Sequence, residues 1–167
     1  MLDEHFRLLA GFNAWANRRL YEAVADLPDA EYRKARACAF FTSVHGTLNH
    51  LLVLDRLWFG RVEGIDAGIS SLDQILYDDF ADLRAERQAE DALIVALIEG
   101  FDDAGLSQER RFRMITAPEE QALPVHLMLA TVFNHQTHHR GQVHAMLSET
   151  AAAPPPLDII YFAREAG

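Results

Sequence analysis

The stretch Asn134-His135-Gln136-Thr137-His138-His139-Arg140-Gly141-Gln142 decides how the rest of this chain is read. It carries three of the eight histidines. His135 and His139 are an i, i+4 pair, so on a helix both imidazoles point from one face, one turn apart. Two neutral imidazoles on a rigid support can close on one divalent cation, but two donors hold a metal poorly. The spacing therefore directs the search to a third donor elsewhere. Around the stretch, Val125, Leu127, Met128, Leu129, Val132, Phe133, Val143, Met146 and Leu147 recur with helical period and predict a helix over residues 123–149. Pro124 suits its first position. Gly141 lies inside it; glycine costs about 1 kcal/mol against alanine there, which predicts a closely packed neighbouring backbone.

Three further helices are predicted by the same periodicity. The first covers residues 3–27, with Asp3 as cap, an apolar series through Phe6, Leu9, Phe12, Leu20, Val24 and Leu27, and Pro28 as its stop. Asn13 and Asn17 are poor helix-interior residues and are expected to bond a neighbouring loop. The second covers residues 42–62, capped by Thr42 or Ser43, with an apolar face through Val44, Leu48, Leu51, Leu52, Leu54, Trp58, Phe59 and Val62. The third covers residues 72–100, from Ser70 or Ser71 to Gly100, and its charged middle, residues 84–91, reads as a solvated face. Residues 29–41 are a connection. Residues 101–121 are irregular, with a short strand over Arg111 to Ile115, a turn at Ala117-Pro118-Glu119-Glu120 and a hairpin as the expected outcome. Residues 151–156 form an extended linker before a short apolar terminal segment capped by Asp158. The expected architecture is a single all-α domain over residues 1–167, a four-helix bundle running up and down with crossover connections.

Composition narrows the function classes. The chain has 167 residues, 50% apolar and 24% charged, and a formal net charge of −10. An acidic surface argues against nucleic acid as partner, because phosphate neutralisation needs a basic face. No apolar run approaches the roughly 20 residues that span a bilayer. The N-terminus shows no basic signal region. No membrane partner and a cytoplasmic location are the expectations. The one cysteine, Cys38, excludes an internal disulfide and a cysteine-rich zinc site, and its apolar neighbours predict a buried thiol.

Metal sites in helical bundles are built from inward side chains on facing helices. His50 lies mid-helix on the apolar stripe of the second helix and is the third donor expected to join His135 and His139. His45, five residues earlier, is about 140° away around the helix and is expected to face solvent. His138 points about 100° from His139 and reads as supporting. His126 and His144 lie on the opposite side and read as exposed or partner-facing; His5 has no assigned role. Three imidazoles leave coordination positions open, as catalytic sites do, and accept zinc, nickel or ferrous iron. There is no His-Glu-x-x-His, no Glu-x-x-His and no Cys-x-x-Cys-His, which sets aside the metalloprotease helix, the di-iron carboxylate bundle and covalent haem.

Three segments together, Asn13-Ala14-Trp15-Ala16-Asn17-Arg18-Arg19-Leu20, His45-Gly46-Thr47-Leu48-Asn49-His50 and the opening stretch, resemble the DinB family of helical metalloproteins. The resemblance spans essentially the whole chain in the right order; its last motif is the specific one. It implies a four-helix bundle with a three-histidine divalent metal site at His50, His135 and His139, nickel or zinc being the usual metals, and a homodimer. It also implies chemistry with a small-molecule substrate. Understood relatives pair the metal with low-molecular-weight thiols, as thiol S-transferases and a thiol-dependent maleylpyruvate isomerase. The expectation is a metal-dependent enzyme of thiol S-transferase or small-molecule transferase type. The alternatives are a non-enzymatic, stress-associated metal-binding dimer and a metal-dependent hydrolase or isomerase. No carboxylate stands in general-base register beside the trio, which favours thiolate activation over hydrolysis. Arg140 and Gln142 read as structural or dimer contacts, with an anionic substrate as the other reading for Arg140.

Overall fold

In the computed structural model, which describes residues 1–166, the elements run α1 (Leu2–Val24), α2 (Asp29–Tyr32), α3 (Val44–Glu63), α4 (Phe80–Glu99), α5 (Asp103–Ser107), β1 (Glu109–Met114), β2 (Ala117–Pro124), α6 (Val125–Leu147) and α7 (Ile159–Ala166). Four helices are long. α1 packs against α4 and α6, and α3 packs against the same two. Among the described residues, no helix is long and apolar enough to cross a membrane.

The interior holds two large apolar clusters. One gathers Phe6 and Ala10 of α1, Val53 to Val62 of α3, Ile94 and Ile98 of α4, and Val125 to Phe133 of α6. The other gathers Leu20 to Val24, Val44 to Leu52, Leu83, and Val143 to Leu147. Followed along the chain, α1 and α6 run from the first cluster to the second, while α3 and α4 run the other way. Successive helices α3 and α4 are therefore parallel. A 20-residue helix is about 30 Å long, so residues 64–79 must travel back along the flank of α3 before α4 begins.

That return differs from the expected helix over residues 72–100. Helix α4 starts only at Phe80, capped by Asp79, whose carboxylate accepts from the Ala81 and Asp82 amides at 2.7 and 3.1 Å. The reason lies on α3. The Asn49 side-chain oxygen accepts from the amides of Leu76 and Tyr77 at 2.9 and 3.0 Å, and its nitrogen donates to the Tyr77 carbonyl at 3.1 Å. Backbone groups held in this way are not free for a helical ladder.

The all-α expectation is corrected by the antiparallel pair β1–β2, whose register sets Phe112 opposite Gln121 and breaks in a bulge between Arg113 and Met114. Alternation puts Phe112 inward, edge-on to Trp58 with ring centroids 5.5 Å apart. Arg61 covers both rings at 4.8 Å and donates to the Arg113 carbonyl at 3.0 Å. The expected hairpin is present, but Ala117 to Glu120, read as its turn, belong to β2, and the chain turns at Ile115 and Thr116.

The close backbone contact expected at Gly141 is absent, and Gly46 makes one instead. A Cβ on Gly141 would meet no atom within 4 Å, so no backbone packs there. A Cβ on Gly46 would stand 2.5 Å from the Phe41 carbonyl oxygen, because the turn before α3 folds back on its first residues. The Ser43 hydroxyl caps that helix by accepting from the Gly46 amide at 3.0 Å. In urea denaturation, Gly141→Ala is expected to raise stability by about 0.5–1 kcal/mol, and Gly46→Ala to lower it by about 1–3 kcal/mol. Equal effects would contradict this assignment of the close contact.

Candidate metal centre

The α3–α6 contact brings three imidazoles together. His50 comes from α3; His135 and His139 come from α6. One donor nitrogen of each lies within 4.8 Å of the other two. His50 Nε2 is 3.0 Å from His135 Nε2. Among the described residues, the three form the one group of histidine, cysteine or acidic side chains clustered closely enough to share a metal.

The neighbours fix which nitrogens are free. His50 Nδ1 is 2.7 Å from the Leu72 carbonyl oxygen. A carbonyl only accepts, so Nδ1 carries the proton and Nε2 keeps its lone pair in the neutral ring. His139 Nδ1 is 2.9 Å from Gln142 Oε1, and Gln142 Nε2 is 3.1 Å from His138 Nε2. Read as a relay of donors, His139 donates to Gln142 and Gln142 donates to His138, which leaves His139 Nε2 free. Such partners of ligating histidines orient the ring and raise its basicity. Burial holds His50 down to about 3 and His135 down to about 4; it also lowers His139, opposed by the Gln142 hydrogen bond. All three rings are neutral at pH 7, as metal ligation requires. Two facing lone pairs at 3.0 Å repel, so either a proton on His135 Nε2 or a shared cation satisfies the pair. The donor set fits a divalent cation.

An aromatic lid closes one side. The Phe41 ring stacks on His50, with centroids 3.7 Å apart and planes at 20°, and meets His139 edge-on at 5.6 Å. Next to it Phe40 is 81% exposed. The following residue, Thr42, has φ 61, a left-handed conformation that costs a β-branched residue about 1–2 kcal/mol. The turn that bends so sharply is the one that presents Phe41 to the imidazoles. Cys38, in the same segment, is exposed and not buried as its neighbours suggested, because residues 37–41 turn at the surface. His45 is also corrected: it is buried, edge-on to Tyr32 at 5.2 Å, with Nε2 3.6 Å from Asp78. His138 is exposed, His144 half-buried, and His126 half-buried with Nδ1 3.0 Å from the Leu106 carbonyl.

Gln136 and Arg140 of the α6 motif turn instead into a buried polar layer between the two apolar clusters. Gln136 Nε2 donates to Asp55 Oδ1 at 2.6 Å and to the Leu51 carbonyl at 2.9 Å. Arg87 Nη1 donates to Asp55 Oδ2 at 2.6 Å, and Arg87 Nη2 lies 2.9 Å from Asp91. Asn17 donates to Asp91 at 2.9 Å and accepts from Arg140 Nη1 at 3.2 Å; Arg140 also donates to Asn13. All seven side chains are buried. Burial pushes the Asp55 carboxyl up to about 6 against the pull of Arg87, so the pair is charged at neutral pH. For Arg87, burial lowers the pKa but Asp91 and Asp55 outweigh it, and the net shift is upward.

This layer corrects two expectations. Asn13 and Asn17 bond side chains of other helices, not a loop, and Arg87 and Asp91 are interior, not part of a solvated face. Of the missed residues Asp55, Arg87 and Asp91, the two on α4 carried a signal. Leu83, Arg87, Asp91, Ile94 and Ile98 are spaced by four, four, three and four, the inward stripe of α4.

The family model described as "DinB family" matches residues 1–166. The chain is also similar to "Protein DinB" of Bacillus subtilis (strain 168), with 26% identity over 176 aligned residues that cover 95% of this chain and 92% of that protein.

Asp55→Ala leaves Arg87 and Gln136 without their shared acceptor, and is expected to cost about 3–5 kcal/mol in chemical denaturation. A cost below about 1 kcal/mol would show that the layer is hydrated and does not tie the helices. The histidines set an acid dependence. Their folded pKa values lie below the unfolded value of about 6.5, so the unfolded chain binds more protons between pH about 6.5 and about 4, and their contribution to stability falls as pH falls through that window. The raised Asp55 carboxyl acts in the opposite sense. The histidine part is therefore read as a difference: in EDTA, the melting temperature of the parent is expected to fall more steeply from pH 7 to pH 4.5 than that of His50→Gln/His135→Gln. Parallel curves would contradict the assigned burial.

Proposed function

The chain belongs to the DinB family, and from that premise we propose that it is a divalent-metal-binding enzyme of thiol S-transferase or small-molecule transferase type. His50, His135 and His139 are its ligands, and its four long helices form a four-helix bundle. The observation that carries the reading is the convergence of three neutral imidazoles, two with their protons already directed away from the shared point. The bundle is supported by each long helix packing against two others. Zinc or nickel suits a set of imidazole donors, with iron as the further candidate. A divalent metal bound there supplies Lewis acidity, lowering the pKa of a coordinated thiol or water.

The chain's own residues do the rest. The Leu72 carbonyl holds the proton of His50 at Nδ1, and Asn49 holds the segment that carries Leu72. Gln142 does the same for His139. Phe41 covers the His50 face and excludes water from it. Three donors, and not four, favour a catalytic over a closed structural site. No acidic side chain belongs to the cluster among the described residues, which favours thiolate transfer over hydrolysis with a carboxylate base.

Elemental analysis of protein purified without a histidine tag is expected to give about one divalent metal per chain, with His50→Ala losing most of it. Full stoichiometry in His50→Ala would sink the ligand assignment. Metal-loaded protein should then transfer glutathione, bacillithiol or mycothiol to an electrophilic acceptor. Metal binding without turnover for any thiol would move the reading to a non-enzymatic metal-binding protein.

A further inference from the structure

The side of α6 that faces α1 holds a cavity lined by none of His50, His135 and His139. Positions advance about 100° per residue around a helix, so Phe133, Thr137 and Arg140 turn away from His135 and His139. With Leu9, Phe12 and Asn13 of α1 they line a cavity of about 310 Å³, within the range of small-molecule sites. Leu9, Phe12 and Phe133 make its apolar walls; Arg140 and Asn13 are its buried polar part, with His5, Asn134 and Thr137 also on its lining.

Among the described residues, two buried donors there are incompletely served: a guanidinium with no carboxylate beside it and an amide nitrogen with no partner. Arg140 is only 3% exposed, yet among the described residues no carboxylate oxygen lies within ion-pair distance of it, whereas Arg87 has both Asp55 and Asp91. Arg140 Nη1 is used by the amide oxygens of Asn13 and Asn17, and Nη2 reaches only the Thr137 hydroxyl, at 3.4 Å. A buried guanidinium ordinarily sits against a carboxylate. The second donor is Asn13 Nδ2, buried and without a partner. Because Asn13 Oδ1 is committed to Arg140, the orientation of the amide is fixed and Nδ2 must be a donor. Burial of the guanidinium lowers its pKa to about 10, which still leaves it charged at neutral pH.

We propose that this cavity binds a small apolar monocarboxylate, with the carboxylate taken by Arg140 and Asn13 Nδ2 and the apolar body lying against Phe12, Leu9 and Phe133. One cation without an ion-pair partner selects a monoanion, and the apolar walls select an organic acid over an inorganic anion. The site is independent of the metal.

The test is a titration of the full-length chain with benzoate, followed by calorimetry and by ¹⁵N NMR, in both the metal-loaded protein and EDTA-treated His50→Ala. Saturable binding is expected in both, with the Asn13 side-chain amide among the shifted resonances. Benzamide, benzyl alcohol and inorganic phosphate should each bind at least about tenfold more weakly. Arg140→Gln should weaken benzoate by a similar factor. Since that variant disturbs the interior, Ala130→Trp serves beside it: position 130 is exposed on the cavity rim, so the chain stays folded while the opening is filled, and benzoate binding should be lost. Binding that disappears in His50→Ala would place the carboxylate on the metal and overturn the proposal. So would binding unaffected by Ala130→Trp, equal affinity for benzamide, or no saturable binding. Because the metal-free arm is decisive, failure of the metal-centre reading leaves this result standing.

Discussion

Charge sealed inside an apolar interior is the constraint on which the arrangement of this protein depends. Asp55, Arg87, Asp91 and Arg140 supply two negative and two positive charges; Asn17 bridges Asp91 to Arg140, Asn13 accepts from Arg140 and Gln136 donates to Asp55. Every long helix contributes at least one member. Apolar packing alone tolerates small rotations and slips, since one methylene replaces another with modest loss. A buried guanidinium does not, because losing its partner leaves an uncompensated charge. Turning α6 by one residue would withdraw Gln136 from Asp55 and Arg140 from the two asparagines together, as they are an i, i+4 pair. The layer therefore sets the phase of α6 more sharply than Val132, Val143 or Met146 can.

The phase of α6 in turn sets the imidazoles. His135 and His139 are each one residue before a member of the polar layer, so with Gln136 and Arg140 turned inward they emerge about 100° away, toward α3. His50 meets them because Leu51 and Asp55 of the same helix engage Gln136. The parallel course of α3 and α4 adds the last support. The returning segment has to pass along α3, where the Leu72 carbonyl meets His50 Nδ1 and Asn49 captures the chain at Leu76 and Tyr77. Adjacent residues, Asn49 and His50, thus serve the loop and the site.

The sequence made some of this legible and hid the rest for identifiable reasons. The pairing of His135 with His139 follows from helical geometry, and His50 stood on an apolar stripe that had to face inward. Helix α4 was harder. Its charged middle looked solvated because ion pairs at four-residue spacing usually are, and only the coincidence of Arg87 and Asp91 with the stripe of Leu83, Ile94 and Ile98 spoke otherwise. The early part of the expected third helix has adequate helical residues, but its backbone groups are taken by Asn49, 27 and 28 residues before its partners Leu76 and Tyr77. A long-range side-chain contact of that kind leaves no trace in local periodicity. Cys38 and Gly141 were misread for another reason: an apolar run was read as burial, and a mid-helix glycine as close packing, when the first lies on a surface turn and the second faces open space.

The charge balance of the two sites bears on what each can hold. The interior layer is formally neutral, so it needs no counter-ion, yet its two arginines are unequally served: Arg87 contacts both aspartates and Arg140 neither. The local deficit of negative charge is therefore on the side of Arg140, where the cavity lies. The imidazole cluster is the reverse case, three neutral donors with no carboxylate among them. A divalent cation held by such a set keeps its full charge, and an open position beside it favours an anion over a neutral ligand. Around both, a net charge of −10 raises the local concentration of cations and repels diffusing anions at long range. That repulsion is screened beyond about 10 Å at moderate salt, whereas an ion pair formed in a desolvated cavity is screened far less. Selection for an anion at either site must then come from contact, which places the discrimination in a few buried donors and not in the field of the whole protein.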